Sequence, residues 1–108
     1  MKLYIYVMEE NYRTNEVEIL CYEWDAIEKP KTYKAVDGHF PGIYTSTFRK
    51  EDIGSITGFS HNKVVLTEHD LEMVKQIFSE QIERKIKSTK ETLDALEKKL
   101  SAVRSFVG

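Results

Sequence analysis

The sequence has little of what would tie it to a covalent framework, a metal or a membrane. It has one cysteine, Cys21, so no internal disulfide can form, and no Cys and His residues stand together at ligand spacing. A reducing, cytoplasmic setting is the expectation that follows. Long apolar runs are missing as well. The first apolar run, Leu3 to Met8, gives way to Glu9 and Glu10, too short for the core of a signal peptide, and no stretch approaches a membrane span. No membrane association is therefore expected. Nor is there an excess of one charge: 16 Lys and Arg face 18 Asp and Glu, so nothing at the level of the whole chain advertises nucleic acid or an anionic surface. A glycine-rich phosphate loop, a His pair at i, i+4 and a nucleophile beside a base are all lacking. We accordingly assign no catalytic residue, no metal ligand and no cofactor, and read the chain as non-enzymatic. At 108 residues it has room for one compact domain, which rules out a barrel enzyme or a full dinucleotide-binding domain.

What is present divides into two regions. Both prolines, all six tyrosines and every glycine except Gly108 lie in residues 1–66, among short alternating apolar runs that read as strands and turns. Residues 67–107 contain neither Pro nor Gly and read as one long helix. The fold class expected is α+β: an N-terminal antiparallel sheet of about four to six short strands, residues 1–66, then a C-terminal helix, residues 67–108, within a single domain.

The first hairpin follows from alternation. Leu3, Ile5 and Val7 alternate with polar and aromatic residues, as do Val17, Ile19 and Cys21, and Asn11 to Asn15 make the turn. Pairing about Tyr12 sets Val7 against Val17, Ile5 against Ile19 and Leu3 against Cys21, which gathers Tyr4, Tyr6, Met8, Leu20, Tyr22 and Trp24 on the opposite face. Further strands are expected at Tyr33 to Val36, Ile43 to Phe48, Ser55 to Ser60 and Lys63 to Leu66, separated by Asp37-Gly38, Pro41-Gly42, Asp52 to Gly54 and His61-Asn62.

The helix announces its start at Thr67, an N-cap hydroxyl, with Asp70 three residues on as the answering acid. Its first part, Leu71, Val74 and Phe78, has the spacing of a helix lying on a sheet, and we expect it to cover the aliphatic face of the hairpin. Beyond that, Ile82, Ile86, Thr89, Leu93, Leu96, Leu100, Val103 and Val107 step alternately by four and three, the seam of a coiled coil. Ile82, Ile86, Leu93, Leu96, Leu100 and Val103 are the candidate oligomerisation residues of a homodimer. Glu80 with Arg84, Glu83 with Lys87 and Asp94 with Lys98 place an acid four residues ahead of a base, as on an exposed helix. The alternative is a bend at Ser88-Thr89, where Ser88 and Glu91 form a second capping box and the last segment folds back.

Tyr4, Tyr6, Tyr22 and Trp24, rimmed by Glu18 and Glu23, are the candidate partner-binding residues. Aromatic anchors with an acidic rim suit a protein partner, in particular a basic nucleic-acid-binding one. The same aromatic face offers the alternative function, stacking single-stranded nucleic acid or a nucleotide. Against it, residues 1–66 carry eight bases and ten acids, which repel phosphate. Arg84, Lys85, Lys87 and Lys90 spread around the helix axis and read as a solvated face; Arg49 to Asp52 reads as a loop ion cluster. His39 and His61 fall in turns, and His69 in the first helical turn. Cys21, placed on the aliphatic face, reads as a small buried hydrophobe.

The stretch Phe48-Arg49-Lys50-Glu51-Asp52-Ile53-Gly54, followed by Val64-Val65-Leu66-Thr67-Glu68-His69-Asp70-Leu71 and a helix with Ile77-Phe78, resembles small proteins carried by phages and other mobile elements of Firmicutes. The resemblance covers roughly residues 44–87. It implies an accessory role such as regulation or inhibition of host defence, anti-CRISPR activity included, and transfers no functional residue.

Overall fold

In the computed structural model, which describes residues 1–107, six strands precede one long helix. The strands are β1 (Lys2–Asn11), β2 (Glu16–Glu28), β3 (Thr32–Ala35), β4 (Thr47–Arg49), β5 (Ile56–Thr57) and β6 (Lys63–Leu66), and the helix is α1 (Leu71–Arg104). They form a curled antiparallel sheet in the order β4-β3-β2-β1-β6-β5. The long β2 makes this possible, pairing with β1 through Asp25 and with β3 from Ala26 onward. By compactness, Met1–Phe78 forms one unit and Ser79–Gly108 another. The division falls inside α1 and not at residue 66, because Val74 and Phe78 are buried with the sheet.

The hairpin register differs from the one alternation suggests. Tyr12 to Asn15 form a four-residue turn, closed by the Asn15 N–H donating to the Asn11 carbonyl at 2.8 Å, with Asn15 in the left-handed region at φ 58°. Its base is therefore the pair Asn11 and Glu16, and Leu3 faces Trp24, Ile5 faces Tyr22 and Val7 faces Leu20. The slip is an odd number of residues, so it exchanges the faces of β2.

Each face of the sheet then has its own cover. Leu3, Ile5, Val7, Val65, Ala26, Ala35, Tyr33 and Phe48 pack with Phe40, which descends from the loop between β3 and β4, and with the partly buried Trp24, Ile43 and Ile53. Gly42 in that loop has φ +83°, and a Cβ there would sit 3.0 Å from Val7 Cγ2, so the close approach needs glycine. The other face carries Tyr6, Met8, Val64 and Leu66 under Val74 and Phe78. The first turns of α1 thus cover the tyrosine-bearing face of β1, not Leu3 and Ile5, and Leu71 remains 48% exposed.

Three local expectations change. Asp70, not Thr67, caps α1, its carboxylate accepting from the Met73 N–H at 3.0 Å. The strand expected over Ile43 to Phe48 shrinks to β4, because Phe40 and Thr45, and Tyr44 and Phe40, bond within their own loop. Similarly, Ser55 to Ser60 yields only β5. The loop ion cluster does form: Arg49 reaches Glu51 at 2.9 Å and Asp52 at 3.1 Å, while Lys50 meets Glu28 at 3.2 Å.

In the second unit the helix runs without a break through Ser88 and Thr89, where the alternative placed a bend. The Thr89 hydroxyl donates to the Lys85 carbonyl at 2.8 Å and the Thr92 hydroxyl to the Ser88 carbonyl at 3.0 Å. Among the described residues no helix is long and apolar enough to cross a membrane.

Candidate interaction surfaces

The seam of α1 is an apolar feature left uncovered. Ile82 is 43% exposed, Leu96 57% and Val103 66%, with Ile86, Leu93 and Leu100 between these values. On an isolated helix such side chains can be shielded only by their own turns, and half exposure is what that allows. In heptad terms Ile86, Leu93 and Leu100 stand at a and Ile82, Thr89, Leu96 and Val103 at d, while the next a residue of the sequence, Val107, lies past the end of α1. A straight helix drifts about 20° per heptad against a 3.5-residue repeat, so this stripe winds slowly around α1. A flat surface cannot follow such a stripe, whereas a second helix wound around the first can.

The residues grouped as an aromatic face do not share one. Tyr6 is buried in the cluster under Val74 and Phe78, and Tyr4 packs against the same cluster. Trp24 packs on the opposite face beside Leu3 and Ile5, and its indole N–H donates to the Asp37 carbonyl at 3.0 Å. Tyr22 lies on the Trp24 side of the sheet and is 38% exposed. The continuous platform that base stacking or a single aromatic anchor site requires is therefore not built from these four side chains. Glu18 is exposed and sits directly across from Glu9, a like-charge cross-strand pair that opposes the hairpin. With Glu10 and Glu16 these acids line the exposed end of the hairpin.

The face of β1 and β2 under the helix start holds a polar network that one-dimensional reading missed. Glu23 Oε1 lies 2.7 Å from His69 Nε2, and His69 Nδ1 lies 3.3 Å from the Tyr6 hydroxyl. That hydroxyl accepts from the Asp70 N–H at 3.2 Å. The His69 tautomer with its proton on Nε2 satisfies all three contacts, donating to Glu23 and accepting from Tyr6. The Tyr4 ring stacks at a tilt on His69, centroids 4.1 Å apart, and Lys2 Nζ reaches Glu23 at 3.7 Å. The network ties the segment before α1 to β1 and β2, fixing where the helix starts. Even spacing of Tyr4, Tyr6 and Glu23 along two paired strands was the available signal, and it becomes visible only with the observed register.

Cys21 faces Tyr6 across the ladder and is exposed, not packed in an aliphatic core. Partial desolvation raises its pKa; the neighbouring Tyr6 hydroxyl pulls it down, and the Glu23 charge pushes it up again. A thiol held above its usual value stays protonated at neutral pH and is a poor nucleophile. Burial likewise raises the Tyr6 phenol above its ordinary value, opposed by the Asp70 N–H. The raised pKa means that Tyr6 contributes stability fully below the phenol's unfolded value of about 10, and loses it as pH climbs through the folded value. Urea midpoints measured from pH 8 to 11.5 should therefore fall more steeply in the native chain than in Tyr6→Phe. Parallel slopes would remove Tyr6 from the alkaline response.

Among the described residues no group of three or more His, Cys, Asp or Glu side chains stands where it could hold a metal ion. Comparison with protein-family models, with curated proteins and with solved structures finds no match to this chain.

Proposed function

We propose that the chain is a non-enzymatic protein-interaction module that self-associates through the seam of α1 and presents its sheet-bearing unit to another macromolecule. The observation that carries this reading is the half-exposed run Ile82, Ile86, Leu93, Leu96, Leu100 and Val103 on one uninterrupted helix. Isolated apolar side chains on a protein surface are ordinary, but a winding stripe of them at heptad spacing is a surface that helices use to find helices.

The resemblance to mobile-element proteins supplies a concrete version, in which the module binds and inhibits a bacterial defence protein such as a CRISPR effector. The acids at the exposed end of the hairpin, Glu9, Glu10, Glu16 and Glu18, suit a basic partner of the kind that handles nucleic acid. Expressing the chain in cells that reject a CRISPR-targeted plasmid should restore transformation, and unchanged rejection across several effector types would remove the inhibitor role.

Self-association has its own test. Light scattering behind size exclusion should give twice the 12.6 kDa chain mass at micromolar concentration. A mass of one chain at about 100 μM, a concentration that populates even weak complexes, would overturn the reading.

A further inference from the structure

We infer that the seam is made for a second copy of the same helix running antiparallel, with Leu93 of each chain against Leu96 of the other. The inference rests on the self-association proposed above and adds the partner's orientation and register.

From Ile82 to Val107 the steps run four, three, four, three, four, three, four, and so read the same from either end. Turning a second copy about the midpoint between Asp94 and Ala95 matches every a residue with a d residue of the other chain. Within α1, Ile86 meets Val103, Thr89 meets Leu100 and Leu93 meets Leu96, each pair occurring twice, while the position opposite Ile82 is Val107, three residues past the helix end at Arg104. A parallel, unshifted pair also fills the seam, so the flanking charges must choose between the two.

Beside the seam, the e positions are Glu83, Lys90, Glu97 and Arg104, and the g positions within α1 are Lys85, Thr92 and Lys99; all seven side chains are exposed. In a parallel pair each g residue faces the next e residue of the other helix. That sets Lys85 against Lys90 and Lys99 against Arg104, like charges on both flanks. In an antiparallel pair e faces e and g faces g. Glu83 then meets Arg104 and Lys90 meets Glu97, each twice and all of opposite sign, while Thr92 faces Lys99 without a clash of charge. Like-charge juxtaposition excludes wrong pairings more strongly than opposite charge rewards right ones. Both effects point the same way here.

A single substitution separates the orientations by the sign of its effect. Lys90→Glu puts Glu against Glu97 in the antiparallel pair, but against Lys85 in the parallel one. The dimer dissociation constant followed by sedimentation should therefore rise about tenfold with Lys90→Glu. Adding Glu97→Lys to the same chain should bring it back to within about twofold. Spin labels provide the geometry: with Cys21→Ser to remove the native thiol, nitroxides at Arg84→Cys should lie about 30 to 40 Å apart, since the two sites are about 21 residues apart along the axis. Labels at about 20 Å or less, or dissociation unchanged or tightened by Lys90→Glu, would overturn the antiparallel assignment while leaving self-association standing. A wild-type monomer would overturn both.

Discussion

Replacing Leu96 and Leu100 by Asp should abolish the proposed self-association while leaving the sheet-bearing unit folded. Both side chains sit in the middle of the seam, 57% and 49% exposed in the single chain, so each buries only its remaining half on association. Half of the transfer free energy of a leucine is about 1 kcal/mol. Four such losses occur per dimer, about 4 kcal/mol, before any cost of drawing carboxylates toward an apolar seam. At 1.4 kcal/mol per tenfold this raises the dissociation constant by about a thousandfold or more. The expected record is a scattering mass equal to one chain, with the β signal and thermal transition of Met1–Phe78 retained, since neither leucine belongs to either core cluster. A mass unchanged by the double substitution would mean that association, if observed, uses another surface.

Phe40→Ala should act on the other unit and more drastically. Phe40 is fully buried against Leu3, Ile5 and Val65, yet it comes from the loop between β3 and β4 and not from a strand. It is anchored there by two short backbone bonds, its own N–H to the Thr45 carbonyl at 2.7 Å and the Tyr44 N–H to its carbonyl at 2.9 Å. Truncating a buried Phe to Ala costs about 3 to 5 kcal/mol, a large share of the roughly 5 to 15 kcal/mol that holds a small domain together. For a domain of this size the melting temperature should drop by roughly 12 to 30 °C. Gly42→Ala should show the same defect on a smaller scale, because the added methyl would press on Val7 at a backbone angle that L residues avoid. A loss below about 1 kcal/mol for Phe40→Ala, read from urea midpoints, would show that the loop is decoration and the sheet face is closed by other means.

The division into a sheet and a helix was legible because the two periods are different and because Pro and Gly stop where the helix begins. The seam was legible for the same reason: helix geometry maps spacing onto a face without help from the rest of the chain. The aromatic site failed at a different level. Both strands of the hairpin alternate, so either register buries a coherent set of residues, and only the four-residue turn with Asn15 in the left-handed region decides between them. A slip of three residues, an odd number, put Trp24 on the face of Tyr6 when the sheet separates them. The network of Glu23, His69 and Tyr6 joins residues 46 and 63 positions apart, and so depended on that same register. Likewise Thr67 has the right chemistry for a cap, but β6 runs through Leu66 and the segment to His69 is held by Tyr6 and Glu23, which leaves the capping to Asp70.

Thr89 is the only polar residue among the eight of the seam, and its hydroxyl is already spent on the Lys85 carbonyl one turn back. Toward a neighbour it therefore offers its methyl group, with its hydroxyl proton already bonded. A coiled coil with an Asn or Lys at such a position keeps one wet, unforgiving layer that dictates how its strands align. In the pairing inferred above the seam would supply no such layer, and alignment would be left to the charges along the edges, where ionic strength can reach them.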